Sequence, residues 1–261
     1  MAGPTTAERG ERQKLESGSP RQSRLWRLRR LRMLIILTLA VVLASGGSIW
    51  LLYGSPWLRV RHVSVSGTRV LTRAEVREAA GVRLGTPLIS LDTDAIEARL
   101  RRKLPRIDSV EVARSWPQGI GLKVTERTPV LLVGNAGKFI EVDREGVRFA
   151  TVSSPPKAVP ALQLTVGHSA AQRRFGVGRL DRAAARVVQD IPAAVARDVR
   201  NVKVGSYDSI SLELSGGRTV MWGSSEKGRA KAVTLIALMK AAPGARHFDV
   251  SVPTAPASSG S

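Results

Sequence analysis

Two serine–lysine pairs, Ser154–Lys157 and Ser224–Lys227, have the S-x-x-K spacing that penicillin-binding enzymes place on a helix to set a serine nucleophile beside a lysine. In the first pair, Pro155 and Pro156 fill the middle positions, which suits a loop and denies the chemistry its helix. The second pair lies at a helix start, where Ser224 or Ser225 reads as a cap and Glu226 as a complement to the helix dipole. Neither S-D-N nor K-T-G occurs elsewhere, so both matches are read as chance. His62, His168 and His247 stand apart, with no His, Asp or Glu at helical ligand spacing, and no metal site is expected. There is no G-x-S-x-G elbow, and Gly137-Lys138 lacks the upstream glycine and following hydroxyl of a phosphate loop. The absence of cysteine removes disulfides, thiolate nucleophiles and thiolate metal sites. The expectation is a protein without catalysis or cofactor. Glu126-Arg127 is read as an ionic link where two folded units join.

If the chain does no chemistry, its elements must place it. Met33 to Tyr53, MLIILTLAVVLASGGSIWLLY, contains no charged residue. At helical rise its 21 residues reach roughly 31 Å, enough to cross a bilayer core of about 30 Å. A helix pairs its own backbone groups, as hydrocarbon requires. Trp50 and Tyr53 sit at one end, where amphipathic rings favour headgroups. Residues 1–32 hold nine Lys/Arg, six of them in residues 21–32, whereas residues 54–66 hold only Arg59 and Arg61. The positive-inside rule then keeps the N-terminus in the cytoplasm and sends all beyond Tyr53 outside, as a single-pass type II protein of the cell membrane. A cleaved signal peptide is the alternative, since Val42-Leu43-Ala44 offers peptidase spacing. Against it, the apolar run resumes at Ile49–Leu52.

The formal charge of +20 is concentrated outside: residues 1–32 carry nine basic against three acidic side chains, and the rest 32 against 18. No basic helix with interleaved aromatics or nucleic-acid module accompanies it, so nucleic acid is excluded as a partner. Acidic lipid or anionic wall polymer fits the field better. Residues 1–32 read as a disordered basic cytoplasmic tail, with an Arg/Leu/Trp juxtamembrane stretch at 24–32.

Beyond the span, Val60, Val63 and Val65 start a strand that Gly67 closes. Thr72-Arg73-Ala74-Glu75 is a capping box for a helix that Gly81 stops. A second helix from Asp92 or Thr93 buries Ile96, Leu100 and Leu104 and ends at Pro105. Val110 and Val112, then Ile120, Leu122 and Val124, alternate on either side of the turn Trp116-Pro117-Gln118-Gly119, as a hairpin does. Residues 58–128 therefore read β-α-α-β-β. In 129–252 strands are expected at 130–133, 139–142, 147–149, 199–204, 210–214, 218–222 and 247–252. Helices are expected at about 181–189 and 226–240, the latter burying Ala232, Leu235, Ile236 and Met239. Asp143-Arg144-Glu145-Gly146 reads as a turn, Ser153–Pro160 as a loop, and the Pro/Ala/Ser-rich 253–261 as a disordered tail. The fold class is α+β: one N-terminal transmembrane helix, then two mixed domains.

The phrases VRHVSVSG, LISLDTDAIEARLRRKLPRIDSVEVARSWPQGIGLKVTERTPV, EVDREGV and HFDVSVP, in that order behind a basic tail and one span, resemble the bacterial cell-division family called FtsQ or DivIB. The resemblance runs from the anchor to about Val252 and implies a POTRA domain followed by a β-rich domain. It implies a non-enzymatic divisome scaffold at the septum that binds FtsB/DivIC-like and FtsL-like proteins in support of septal wall synthesis. By position, the implied partner-binding residues are His247, Phe248, Asp249, Val250, Ser251 and Val252, with Thr254 alongside; Pro253 interrupts where a longer edge strand would continue. On that view 247–252 is a terminal strand at a sheet edge, open to strand addition. The bland reading puts Phe248, Val250 and Val252 in the core. Two other classes remain: an anchored or secreted wall enzyme, against which the missing constellations argue, and a POTRA module of a translocation system, for whose barrel roughly 200 exterior residues leave no room.

Overall fold

The computed structural model describes residues 20–165 and 176–260. The first 19 residues of the expected tail, His168 and Ser261 lie outside them. Helix α1, Pro20–Tyr53, contains the expected span and also residues 20–32, whose composition reads as disordered tail. The physical reason is local: RLWRLRRLR is built of strong helix formers and continues a helix already nucleated by the apolar run. Its segment Arg29–Tyr53 is apolar and long enough to cross a membrane, and none of it is buried against protein. Hydroxyls within the span turn back on the helix, Thr38 Oγ1 to Leu34 O (3.0 Å), Ser45 Oγ to Val41 O (2.7 Å) and Ser48 Oγ to Ala44 O (2.7 Å). These three hydroxyls are thus satisfied within the helix itself.

The first domain beyond α1 follows the expected order: β1 His62–Ser66, α2 Arg73–Ala80, α3 Thr93–Lys103, β2 Ile107–Ser115 and β3 Gly119–Glu126. Thr72 and Glu75 close a full capping box, and Gly81 ends α2 in the left-handed region at φ 60°. Asp92 Oδ1 caps α3 by accepting from Ala95 N–H at 2.9 Å. Ile96 and Leu100 are buried beneath α3, while Leu104 lies just past its end and is only half-buried. The sheet order is β1-β3-β2, with β1 parallel and β2 antiparallel to β3. Both helices cover one face, packing Val76, Ala80, Ile96 and Leu100, with Leu88 of the 3-10 turn between them, on Val65, Val112, Ile120, Leu122 and Val124. Gly67 is required where β1 ends: at φ 84°, a Cβ there would stand 2.0 Å from the Val124 carbonyl oxygen.

In the second domain β4 Leu131–Asn135, β5 Lys138–Val142, β6 Arg148–Val152, β7 Ala161–Leu164, β8 Val199–Ser206, β9 Ser209–Leu214, β10 Thr219–Gly223, β11 His247–Asp249 and β12 Ala257–Ser259 form one sheet. Its order is β12-β11-β10-β9-β8-β7-β4-β5-β6. Helices α4 Val177–Asp190, α5 Ala193–Ala196 and α6 Gly228–Ala241 pack on it around Leu180, Val202, Ile210, Leu212, Trp222, Leu235 and Phe248. Three differences from expectation stand out. Strand β7, joined in parallel to β4 and β8, is too short for its four residues to declare an alternation. Strand β11 stops at Asp249, because the chain turns away with Ser251 N–H donating to Asp249 Oδ1 at 2.9 Å. And β12 lies in the stretch expected to be structureless.

Helix α6 starts after Lys227, itself in the left-handed region at φ 54°, so Ser224–Lys227 is a turn and not a helix face. Within α6 only Leu235 of the expected stripe is fully buried; Ala232, Ile236 and Met239 are half-covered. Lys231 is also buried, donating from Nζ to Ser224 O at 2.8 Å, and burial lowers its pKa from the ordinary lysine value.

The packing of α3 gives a direct check. Leu100→Ala should destabilise the chain by about 2–5 kcal/mol in denaturant unfolding. Arg101→Ala, which loses only an exposed 3.9 Å contact with Glu97, should stay within about 0.5 kcal/mol. Equal losses would show that the buried face of α3 has been misassigned.

Candidate functional site

Two places beyond α1 have geometry suited to function: the end of the large sheet and the joint between the domains. At the sheet end, β11 is not an edge. It pairs in parallel with β10 through Thr219–His247 and Met221–Asp249, and antiparallel with β12 through His247–Ser259, Phe248–Ser258 and Asp249–Ala257. The expected partner-binding residues therefore separate. Phe248 and Val250 are buried in the core, as the bland reading had them, but Val252 is 54% exposed. His247 and Asp249 lie exposed on the open face, Ser251 is half-buried, and Thr254 is exposed in the turn between β11 and β12. The backbone groups of β11 are taken by its two neighbours, so an unpaired row can lie only one strand further out.

That strand is β12, whose three residues are all exposed. Thr219 N–H donates to Arg246 O at 2.8 Å and Val250 N–H to Met221 O at 3.0 Å, so Phe248, between them, turns its backbone groups to β10. His247 and Asp249 then turn theirs to β12, pairing with Ser259 and Ala257, and Ser258 is the residue of β12 whose N–H and C=O point outward. The only signal for β12 in the sequence is the turn-rich Pro253–Pro256 after a strand; Ala-Ser-Ser has no apolar alternation to report a buried face.

Beside this edge the open face of the sheet is polar. His247 Nδ1 lies 2.7 Å from Thr219 Oγ1. Glu213 pairs with Lys203 and accepts from Asn201 Nδ2 at 2.7 Å; the Lys203 and Asn201 bonds hold its carboxyl below the ordinary carboxylate value. Met221, 42% exposed, is the apolar island in this row.

The joint is ionic. Arg106, between α3 and β2, donates to Glu141 Oε2 on β5 at 2.5 Å, and its guanidinium stacks 5.3 Å from the Phe149 ring centre. Arg127, just past β3, pairs with Asp143 and lies 3.3 Å from Asp108. Asp143 is itself buried, and its Oδ1 accepts from Glu145 and Val147 N–H at 2.9 and 2.8 Å, forming the expected DREG turn. The link expected of Glu126-Arg127 is thus made by Arg127. Glu126 instead accepts backbone N–H bonds from Arg69, Val70 and Leu71 at 2.7 to 3.1 Å. A third pair, Arg148 with the buried Asp181 (2.7 and 3.2 Å), ties β6 to α4. Ser154 and Lys157 are exposed in an irregular stretch, and no three His, Cys, Asp or Glu side chains gather into a metal-holding group among the described residues.

Comparison with known proteins bears on both places. Residues 58–127 match the family model described as "POTRA domain, FtsQ-type". The chain is 68% identical over 265 residues, covering the whole of both, to "Cell division protein FtsQ" of Streptomyces collinus. It is 66% identical, again over the whole of both, to the protein of that name from Streptomyces coelicolor. Against its namesake from Mycobacterium leprae the identity is 34%, over 92% of this chain and 67% of that one. Among solved structures it is similar to the extracytoplasmic domain of DivIB from Geobacillus stearothermophilus, with 16% identity and a TM-score of 0.33. That likeness covers 45% of this chain and 94% of the other.

The joint makes its own prediction. Arg127→Ala leaves Asp143 buried without its cation, and removal of one partner from a buried pair costs about 3–5 kcal/mol. Lys123→Ala, which breaks an ion pair exposed at both ends, should cost no more than about 1 kcal/mol. Thermal melts of the two variants side by side should separate them clearly.

Proposed function

The chain belongs to the FtsQ family of cell-division proteins and so serves bacterial division; on that premise we propose that it is a non-enzymatic scaffold of the divisome. In this reading α1 anchors it in the cell membrane with the basic N-terminus in the cytoplasm, and the two exterior domains stand outside at the septum. There it binds the FtsB/DivIC-like and FtsL-like partners on which septal wall synthesis depends. The observation that carries the proposal is the outer edge of β12, where Ser258 aims its backbone N–H and C=O away from β11. A partner strand added there would gain backbone bonds along the edge and side-chain contacts on the open face around His247, Asp249 and Met221.

The wall-enzyme reading has lost its best motif, since the second S-x-x-K is a turn whose Ser224 carbonyl is engaged by Lys231.

Ser258→Pro tests the edge, because it removes the outward N–H without touching the His247–Ser259 and Asp249–Ala257 pairs. Capture of the FtsB/DivIC-like partner from solubilised membranes should fall about tenfold, equivalent to about 1.4 kcal/mol, while the melt of the protein stays in place. Undiminished capture with an intact fold would put the interface elsewhere. Topology has a separate check. A reporter active only outside the cytoplasm should work when fused at Ser261, and the mature chain should begin near Met1. An N-terminus at Ser45 would replace the anchor with a cleaved signal peptide.

A further inference from the structure

The chain passes from the span into the first exterior domain with almost no linker. Gly54 and Ser55 N–H both donate to Trp50 O, at 2.7 and 3.2 Å, closing α1. The buried Ser55 then caps a 3-10 turn, Pro56–Leu58, accepting from Trp57 N–H at 3.2 Å. Val60 is already fully buried in the domain core.

Strand pairing decides what else lies at this end. Because β1 runs parallel to β3 with His62 opposite Gly119, the turn between β2 and β3 sits where β1 begins. Arg61 N–H accordingly donates to Gln118 O at 2.8 Å. A third segment is tied in alongside: Val60 N–H donates to Thr86 O at 2.9 Å, Gly85 N–H to Val60 O at 2.8 Å, and Arg59 Nη1 to Gly85 O at 3.1 Å. Helix α1 touches the 3-10 turn Leu88–Ser90 that follows this segment.

Each of the three segments exposes one large apolar side chain: Trp57 is 74% exposed, Leu84 67% and Trp116 50%. Arg61 and Arg83 stand exposed among them. Tryptophan with arginine is the pairing that suits a headgroup layer, with the ring at the boundary and the guanidinium on phosphate. Distance permits it: Trp57 is four residues beyond Tyr53, at most about 14 Å of extended chain and less in a 3-10 turn.

We propose that this end of the domain is a membrane-docking face, with Trp57, Leu84 and Trp116 seated among phospholipid headgroups and Arg61 and Arg83 on their phosphates. The first exterior domain then rests on the bilayer, held at several points and not swinging from a single tether. The proposal rests on reading α1 as a membrane span, and its test separates the two.

The chain has no cysteine, so a single introduced one can carry an environment-sensitive fluorophore in the full-length protein, reconstituted in phosphatidylglycerol-containing vesicles. Three sites serve: Tyr53→Cys at the end of the span, Ser115→Cys beside an intact Trp116, and Val70→Cys at the opposite end of the domain, where Val70 is 66% exposed. With a nitroxide on the lipid headgroup, quenching at 115 should approach that at 53 and exceed that at 70 about threefold or more. Adding Trp116→Asp to the Ser115→Cys protein should lower its quenching by a similar factor. Strong quenching at 53 with weak and equal quenching at 115 and 70 would overturn the docking face and leave the anchor standing. Unchanged quenching at 115 after Trp116→Asp would also overturn it. Loss of quenching at 53 would remove the anchor, and the proposal with it.

Discussion

The parallel pairing of β1 with β3 is the constraint from which the architecture beyond α1 follows. A strand that enters from the membrane and pairs in parallel forces the β2–β3 turn to the entry end and the end of β3 to the far end. The chain therefore crosses the domain and leaves opposite its point of entry, through Glu126 and Arg127. An antiparallel pairing would have returned it to the bilayer. Glu126 reinforces the far end by gathering the N–H groups of Arg69, Val70 and Leu71, which would otherwise be unpaired donors where β1 stops.

What leaves at that far end meets the second domain through charge. Arg106 and Arg127 reach Glu141 and Asp143, whose side chains are only 5% and 2% exposed. Buried pairs of this kind add little net stability over apolar packing, because desolvation offsets much of the attraction. Their geometry is demanding, however, and Asp143 also organises the turn that leads into β6. The same side chain thus fixes the angle of the joint and the start of a strand. Gly146 completes that turn at φ 76°, with Arg182 backbone 2.5 Å from where a Cβ would stand, so α4 packs directly on it. A change at the joint would be felt through β6 and α4, by way of Arg148 and Asp181.

The parts legible in the sequence were those with a periodic signal or a dedicated cap. The capping box at Thr72, the stop at Gly81, the Ile96–Leu100 stripe and the hairpin about Trp116–Gly119 each state their structure in a few residues, and each is found. Strands β8, β9 and β10 alternate buried and open residues and were equally clear. The failures share a cause. β7 has four residues and β12 three, and strands that short take their conformation from neighbouring backbone, not from side-chain pattern. Residues 20–32 look like a charged tail in composition, yet their helix is inherited from the span beside them. The candidate site fell on one of these blind spots: the recognised phrase HFDVSVP marks β11, while the open edge belongs to the unpatterned residues after it.

The form of that edge suits a surface that must wait for a specific partner. Long, flat, apolar edges recruit any strand, and natural sheets avoid them with short or polar ones. β12 offers only one outward residue, Ser258, whose small side chain brings little affinity of its own. Backbone pairing over so short a length could not select a partner. Discrimination must then come from the neighbouring open face, where His247 and Thr219, Asp249, Met221 and the Lys203–Glu213 pair line successive strands. A partner that carries only a strand would gain a few bonds and leave. One whose flanking residues also cover Met221 and meet the charged pair would stay, which places specificity on the sheet face and leaves the edge to set register.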